Sequence, residues 1–196
     1  MNTQQKKEFF KLHNKNKKVS IDNKGTLGYE IYNSESIDLT GEDLIKICEG
    51  NVRVISYHEL KGINTIQQLL EPYGAIIILY ETKQNFGHYT ALFYDKNKNL
   101  EFFDSYGFKP DAELKYATYD NTPYLTNLLK KYKGNIIYNT EDLQKWAKDV
   151  NTCGRWCATR IRMKNLTAQE FRNLWKNKFY NPDFFVSAIT YLYTYQ

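Results

Sequence analysis

Residues 151–157 read NTCGRWC and hold two of the chain's three cysteines. A thiol is a strong nucleophile only as its thiolate, and an ordinary cysteine is mostly protonated at neutral pH. A nearby imidazolium and a helix N-terminus both favour the thiolate. Cys153 is placed for the second. Asn151 and Thr152 are capping residue types, and Trp156, Cys157 and Arg160 follow at helical spacings of three and four. Gly154 leaves room for a substrate carbonyl to approach the backbone amides, which are natural oxyanion donors. Three uses of the cysteine pair are open: a nucleophile, half of a zinc site, or two small apolar residues packed in a helix. Zinc needs two more ligands, and no second close-spaced pair supplies them, so no metal is expected.

A cysteine nucleophile also needs a base, and the base needs an orienting acceptor. The chain has three histidines. His13 lies in a lysine-rich start, and His58 ends an apparent strand in SYHEL. His88 opens HYTALFY directly after Gly87, and Asp104 closes the next apolar run, LEFFD. The offset of sixteen residues spans a strand, a turn and a return strand, so the two side chains can be cross-strand neighbours. Each feature alone is ordinary. A histidine at a strand end is usually solvated, and an Asp before SYG is usually a turn former.

The elements that must position these residues are legible in outline. Thr40 and Asp43 cap a helix that Gly50 ends, VRVISYHEL has strand composition, and NTIQQLLEPYG reads as a short helix. AIIILY is a continuous apolar run, as in a strand buried on both faces. HYTALFY and LEFFD follow as an antiparallel pair joined by the polar loop DKNKN. PYLTNLLKKY is amphipathic, and NIIYN is a short strand. A helix starts at CGRWC, another at Thr167 with a capping box to Glu170, and a last one at Asn181 before Pro182. The expected class is α+β, with a small mixed sheet flanked by helices, in one domain spanning 1–196.

Composition sets the bounds. Aromatic residues make up 16%, with 17 Tyr and 11 Phe, enough to wall a cleft as well as fill a core. No apolar run is long enough to span a bilayer, so no membrane partner is expected. The start lacks the apolar centre of a signal peptide and the cysteine count is odd, so a reducing compartment is expected. The net charge is +5, and residues 1–18 carry six lysines against one glutamate. That segment reads as a solvated, mobile arm or as an electrostatic tether to nucleic acid.

The run GHYTALFYDKNKNLEFFDSYGF, then Gln144, then NTCGRWC leading into a helix, resembles the adenovirus-type maturation protease. That group is shared with the ubiquitin-like-protein (SUMO) proteases and with maturation proteases of large DNA viruses and virophages. TCGRW followed by RIR is particularly similar to the virophage branch. The resemblance covers roughly residues 75–163. It implies an adenain- or SUMO-protease-like fold in which Cys153 is the nucleophile, His88 the base and Asp104 its orienting acid. Gln144 is then the oxyanion donor. Gln144 stands nine residues before Cys153, further than the family usual, which leaves Asn151 as the second candidate donor.

The resemblance implies a viral cysteine endopeptidase that cuts capsid or other virion precursors, at sites containing Gly. Substrate contacts are expected from Tyr89, Gly154, Phe86 and Tyr106. Host cytoplasm, in viral factories, and the virion are the expected locations. No cofactor is expected, although such proteases admit activation by DNA or a peptide. Two other functions compete: an isopeptidase for ubiquitin-like modifiers, and an inactive protease fold that binds nucleic acid or capsid.

Overall fold

The computed structural model describes residues 25–116, 121–176 and 181–194. The lysine-rich arm, His13 and the end of the run TAQEFRNLWKNKFY lie outside these residues. Five strands form one mixed sheet in chain order: β1 (Arg53–Ser56), β2 (Ala75–Lys83), β3 (Phe86–Tyr94), β4 (Leu100–Phe103) and β5 (Ile136–Tyr138). The outer pairs β1–β2 and β4–β5 are parallel, and the inner pairs are antiparallel. The described helices are α1 (Leu27–Ser34), α2 (Gly41–Ile47), α3 (Ile66–Leu70), α4 (Tyr124–Lys131), α5 (Cys153–Arg162), α6 (Ala168–Leu174) and α7 (Pro182–Thr194). The class is therefore α+β, a mixed sheet flanked by helices, as expected.

Strand alternation builds two cores, one on each face of the sheet. Ile77, Leu79, Tyr89, Ala91, Phe93 and Phe103 face one way and pack with Leu44, Trp156, Cys157, Ile161 and Phe171. Ile76, Ile78, Tyr80, Leu92, Leu100 and Phe102 face the other way and pack with Leu69, Leu70, Leu125, Leu128 and Leu129. This two-sided burial is why AIIILY shows no alternation.

Local chemistry sets the ends. Thr40, Thr65 and Thr167 accept from the backbone three residues on and cap α2, α3 and α6. Asp95 accepts from the amides of Asn97 and Asn99 at 2.8 Å each and closes the β3–β4 hairpin. The strand in VRVISYHEL is shorter than its composition suggests. Ser56 N–H donates to Glu59 Oε1 at 2.8 Å, and residues 57–60, with His58, turn into a 3-10 helix. Helix α1 has no counterpart in the sequence reading; only Ile31 and Ser34 of its residues are buried, so its apolar signal is weak.

Helix α5 runs across the sheet with Gly154–Ile161 all buried, including two arginines. Arg160 grips Glu101 of β4 with two bonds, at 2.8 and 2.7 Å, and donates to the carbonyls of Met163 and Leu166. Its guanidinium lies between the rings of Phe93 and Phe171. Arg155 donates to Thr190 Oγ1 of α7 and to the Ser34 carbonyl. These bonds fix α5 lengthwise, so its first residue arrives at a defined point beside the ends of β3 and β4.

Candidate active site

His88 stands near the start of β3, and Gly87 makes that start possible. A Cβ on Gly87 would lie 1.9 Å from the Tyr80 carbonyl oxygen of β2. The glycine is needed for this close backbone approach, more than for flexibility. The β3–β4 register pairs Ala91 with Phe103, so a continued ladder would set Asp104 across from Thr90 rather than His88. The strand instead ends at Phe103, and a turn closed by Gly107 N–H on the Asp104 carbonyl swings the carboxylate diagonally to the imidazole. Gly107 has φ +72°, and a Cβ there would press on the backbone of Thr140 and Glu141.

The resulting pair is close and buried. His88 Nε2 lies 2.9 Å from Asp104 Oδ2, with the residues 8% and 1% exposed. Asp104 Oδ1 accepts from Tyr106 N–H at 2.7 Å, so the aspartate both forms the turn and binds the histidine. Asn139 donates to the Asp104 carbonyl at 2.6 Å and braces the same turn. With Nε2 engaged, Nδ1 is the ring nitrogen left for the thiol of Cys153, which lines the same cleft. Burial pulls the His88 pKa down, but the bond to Asp104 and the neighbouring Cys153 outweigh it and hold the pKa well above the ordinary 6.5.

Cys153 is the first residue of α5 and is partly accessible. Thr152 holds the N-cap position without capping the helix amides through its side chain. Its hydroxyl instead donates to Asp183 Oδ1 at 2.5 Å. Cys157 is different in kind. It is buried, its thiol donates to the Tyr89 carbonyl at 3.3 Å, and burial pushes its pKa well up. Cys48 is buried as well, with its pKa pushed up to about 12 by desolvation.

Gln144 is buried and oriented from both ends. Its Oε1 accepts from Ser105 Oγ at 2.8 Å, and its Nε2 donates to the Val150 carbonyl at 3.3 Å. The second Nε2 hydrogen is free to serve the cleft, which Gln144 lines beside Cys153. The extra residues before Cys153 close one turn, with Val150 N–H on the Ala147 carbonyl. Asn151 also lines the cleft; its N–H donates to the Glu35 carbonyl at 2.7 Å and one Nδ2 hydrogen to the Ser36 carbonyl at 3.0 Å, so it too keeps one amide hydrogen. Gln144 differs in being buried and held at both ends of its amide.

These groups border a cleft of about 230 Å³. Its aromatic wall is a stack: Tyr106 lies on His88 with centroids 5.2 Å apart, and Trp146 lies on Tyr106 at 3.9 Å. Phe86 and Phe108 complete the wall. Tyr89 and Gly154, expected at the substrate, are not on it. Tyr89 falls on the strand face that packs against α5, and the Cα of Gly154 faces Leu44 and Tyr89, where a Cβ would sit 3.2 Å from each. Gly154 thus lets α5 approach the sheet. Sequence reading also missed Ser105, Phe108, Trp146 and Asp183. Gly107 after SY was the one local hint of the turn that places Ser105.

Among the described residues, His88, Asp104 and Glu113 are the group whose donor atoms, all within 4.8 Å of one another, suit a metal ion. His88 and Asp104 are already paired. Burial raises the Glu113 pKa and the nearby His88 opposes that rise, so Glu113 also faces the imidazole. His58 lies apart from the cleft, 3.5 Å from Glu81. No described helix is long and apolar enough to cross a membrane.

No protein-family model matches the chain. Over 145 residues it is 38% identical to "Uncharacterized protein V9" of Sputnik virophage, covering 70% of this chain and 83% of that protein. Among solved structures, it is similar to the central domain of the uncharacterized Lpg1148 protein from Legionella pneumophila, with TM-score 0.42, 16% identity, and 80% and 96% of the two chains covered. It is also similar to the C-terminal Ulp1 protease domain solved with Smt3, the yeast ortholog of SUMO, with TM-score 0.41, 12% identity, and 99% and 95% covered.

Proposed function

The chain belongs to the family of the Sputnik virophage protein V9, and from the chemistry of its cleft we propose that it is a viral cysteine endopeptidase that processes virion precursor proteins. One observation carries the reading: an imidazole bonded at 2.9 Å to a buried carboxylate lines one open cleft with a thiol at a helix start. His88 takes the proton of Cys153 and gives a thiolate–imidazolium pair, which Asp104 orients and stabilises. The thiolate attacks a peptide carbonyl. The oxyanion is held by Gln144 Nε2–H and the Cys153 backbone N–H, each donor worth ~3 kcal/mol. His88 then protonates the leaving amine, and water hydrolyses the thioester.

The substrate is a protein segment in extended form, with a small residue beside the scissile bond. A cleft between Phe86 and the Tyr106–Trp146 stack admits backbone more readily than bulky side chains, and this supports cleavage at glycine. Capsid proteins are the proposed precursors. The viral family and the TCGRW helix start favour this over removal of ubiquitin-like modifiers.

Cleavage of a Gly-containing peptide library and of a co-expressed capsid protein tests the reading. Cys153→Ala and His88→Ala should abolish cleavage, and Cys157→Ala should retain it. Loss with Cys157→Ala but not with Cys153→Ala would sink the assignment. Reaction with a ubiquitin-like vinyl sulfone and no cut in the capsid protein would select the isopeptidase instead.

A further inference from the structure

Asp183, in the first turn of α7, is 1% exposed and accepts three hydrogen bonds across the fold. Oδ1 accepts from Thr152 Oγ1 at 2.5 Å and from Trp156 Nε1 at 2.9 Å. Oδ2 accepts from the Lys145 backbone N–H at 2.9 Å. Asn181 Oδ1 in turn accepts from Asp183 N–H at 3.1 Å and fixes the start of the helix. Lys145 directly follows Gln144, and Thr152 directly precedes Cys153. The two segments that carry the oxyanion donor and the nucleophile are therefore tied to one carboxylate from a distant helix.

We propose that Asp183 is a positioning residue, whose carboxylate sets the separation of Gln144 from Cys153; this rests on the protease reading above. The chemistry requires an acid. Three donors converge on two oxygens, and an aspartate accepts on both. Asparagine has the same shape but offers one oxygen, so its NH₂ must meet either the Lys145 amide or the Thr152 and Trp156 donors. One tether then breaks without a change in volume. Thr152 explains the choice further. Its hydroxyl serves Asp183 in place of the helix amides, which leaves the start of α5 to the reacting groups.

An oxyanion donor acts in the transition state, so its displacement lowers kcat more than it raises KM. The test uses a fluorogenic Gly-containing peptide selected with the wild-type protein, and iodoacetamide, whose attack on Cys153 needs the thiolate but no oxyanion donor. Asp183→Asn should lower kcat roughly 10- to 100-fold with KM within about twofold. In a Gln144→Ala background the same change should cost less than about threefold, because the donor it positions is gone. The alkylation rate should stay within about twofold of wild type in both backgrounds. Thr152→Val, which removes one donor and leaves the carboxylate, should move kcat the same way by less, and it serves if Asp183→Asn does not fold.

The proposal is overturned by unchanged kcat in whichever variant folds. A loss that multiplies in full onto Gln144→Ala, or a parallel fall in alkylation, overturns it too. A wild-type protein that neither cleaves peptides nor shows His88-dependent alkylation overturns the protease reading itself. Cleavage by wild type with no effect of Asp183→Asn overturns only the role of Asp183.

Discussion

Replacing Asp104 by Asn keeps the shape of the side chain, removes its charge and leaves two neighbours competing for one acceptor. One carboxylate oxygen meets His88 Nε2 at 2.9 Å and the other meets Tyr106 N–H at 2.7 Å. Both neighbours require an acceptor, and asparagine has one oxygen for the two. If that oxygen stays with Tyr106, the NH₂ faces Nε2 and drives the ring proton to Nδ1, the nitrogen that must receive the thiol proton. A hydrogen bond to a buried charge is worth ~1.5–3 kcal/mol, which at about 1.36 kcal/mol per decade is roughly 10- to 150-fold in kcat/KM. The same energy acts on the titration of His88, whose pKa stands well above 6.5 because Asp104 and the neighbouring Cys153 outweigh burial. Without the carboxylate, burial gains the upper hand and the imidazolium loses its proton at lower pH. In the proposed mechanism the imidazolium is the protonated member of the catalytic pair, so the alkaline limb of activity moves to lower pH. The assay is kcat/KM for a fluorogenic peptide, with iodoacetamide alkylation of Cys153, from about pH 5 to about pH 10. A folded Asp104→Asn protein with the wild-type rate and an unmoved alkaline limb refutes the role given to this aspartate.

Other positions make independent tests. Gly87→Ala puts a Cβ 1.9 Å from the Tyr80 carbonyl oxygen, so β2 and β3 must part; the expected loss is at least ~3 kcal/mol, read from the urea midpoint. Glu101→Gln leaves Arg160 buried without its counter-charge, which should cost ~3–5 kcal/mol and lower the melting temperature by roughly 6–20 °C. A wild-type melting temperature would show that Arg160 is satisfied without the pair. Glu35 is raised to about 7, first by burial and then by Asp183. Its folded form holds the proton more tightly than the unfolded chain. The stability it contributes is therefore complete below about 4.5 and is lost as the pH rises through about 7. Glu35→Gln should raise the melting temperature near pH 8 and change it little near pH 4; equal shifts at both would count against the buried charge.

What the sequence disclosed and what it hid divide along the range of the interaction. Thr40 and Thr167 act on amides three residues away, so their caps were legible from residue type alone. Asp95 closes its hairpin by bonds within four residues. His88 and Asp104 stood out because a hairpin makes a sequence offset of sixteen short in space. Thr152 has the same chemistry as those capping threonines, yet its hydroxyl turns away to Asp183, thirty-one residues on. No local rule separates these cases, because the competing acceptor comes from another helix. Tyr89 follows His88 directly in the chain, and for that reason strand alternation sends it into the core beneath the site rather than onto the substrate. Arg155 and Arg160, two of the three arginines of CGRWCATRIR, point the same way. Their residue type alone gives no sign of burial, yet each is fully buried because Glu101, Thr190 and the Ser34 carbonyl wait for them on three separate elements. Reactive groups need local backbone geometry, which residue types record. The frame that sets the distance between them is made of long-range polar bonds, and these exist only once the helices have packed.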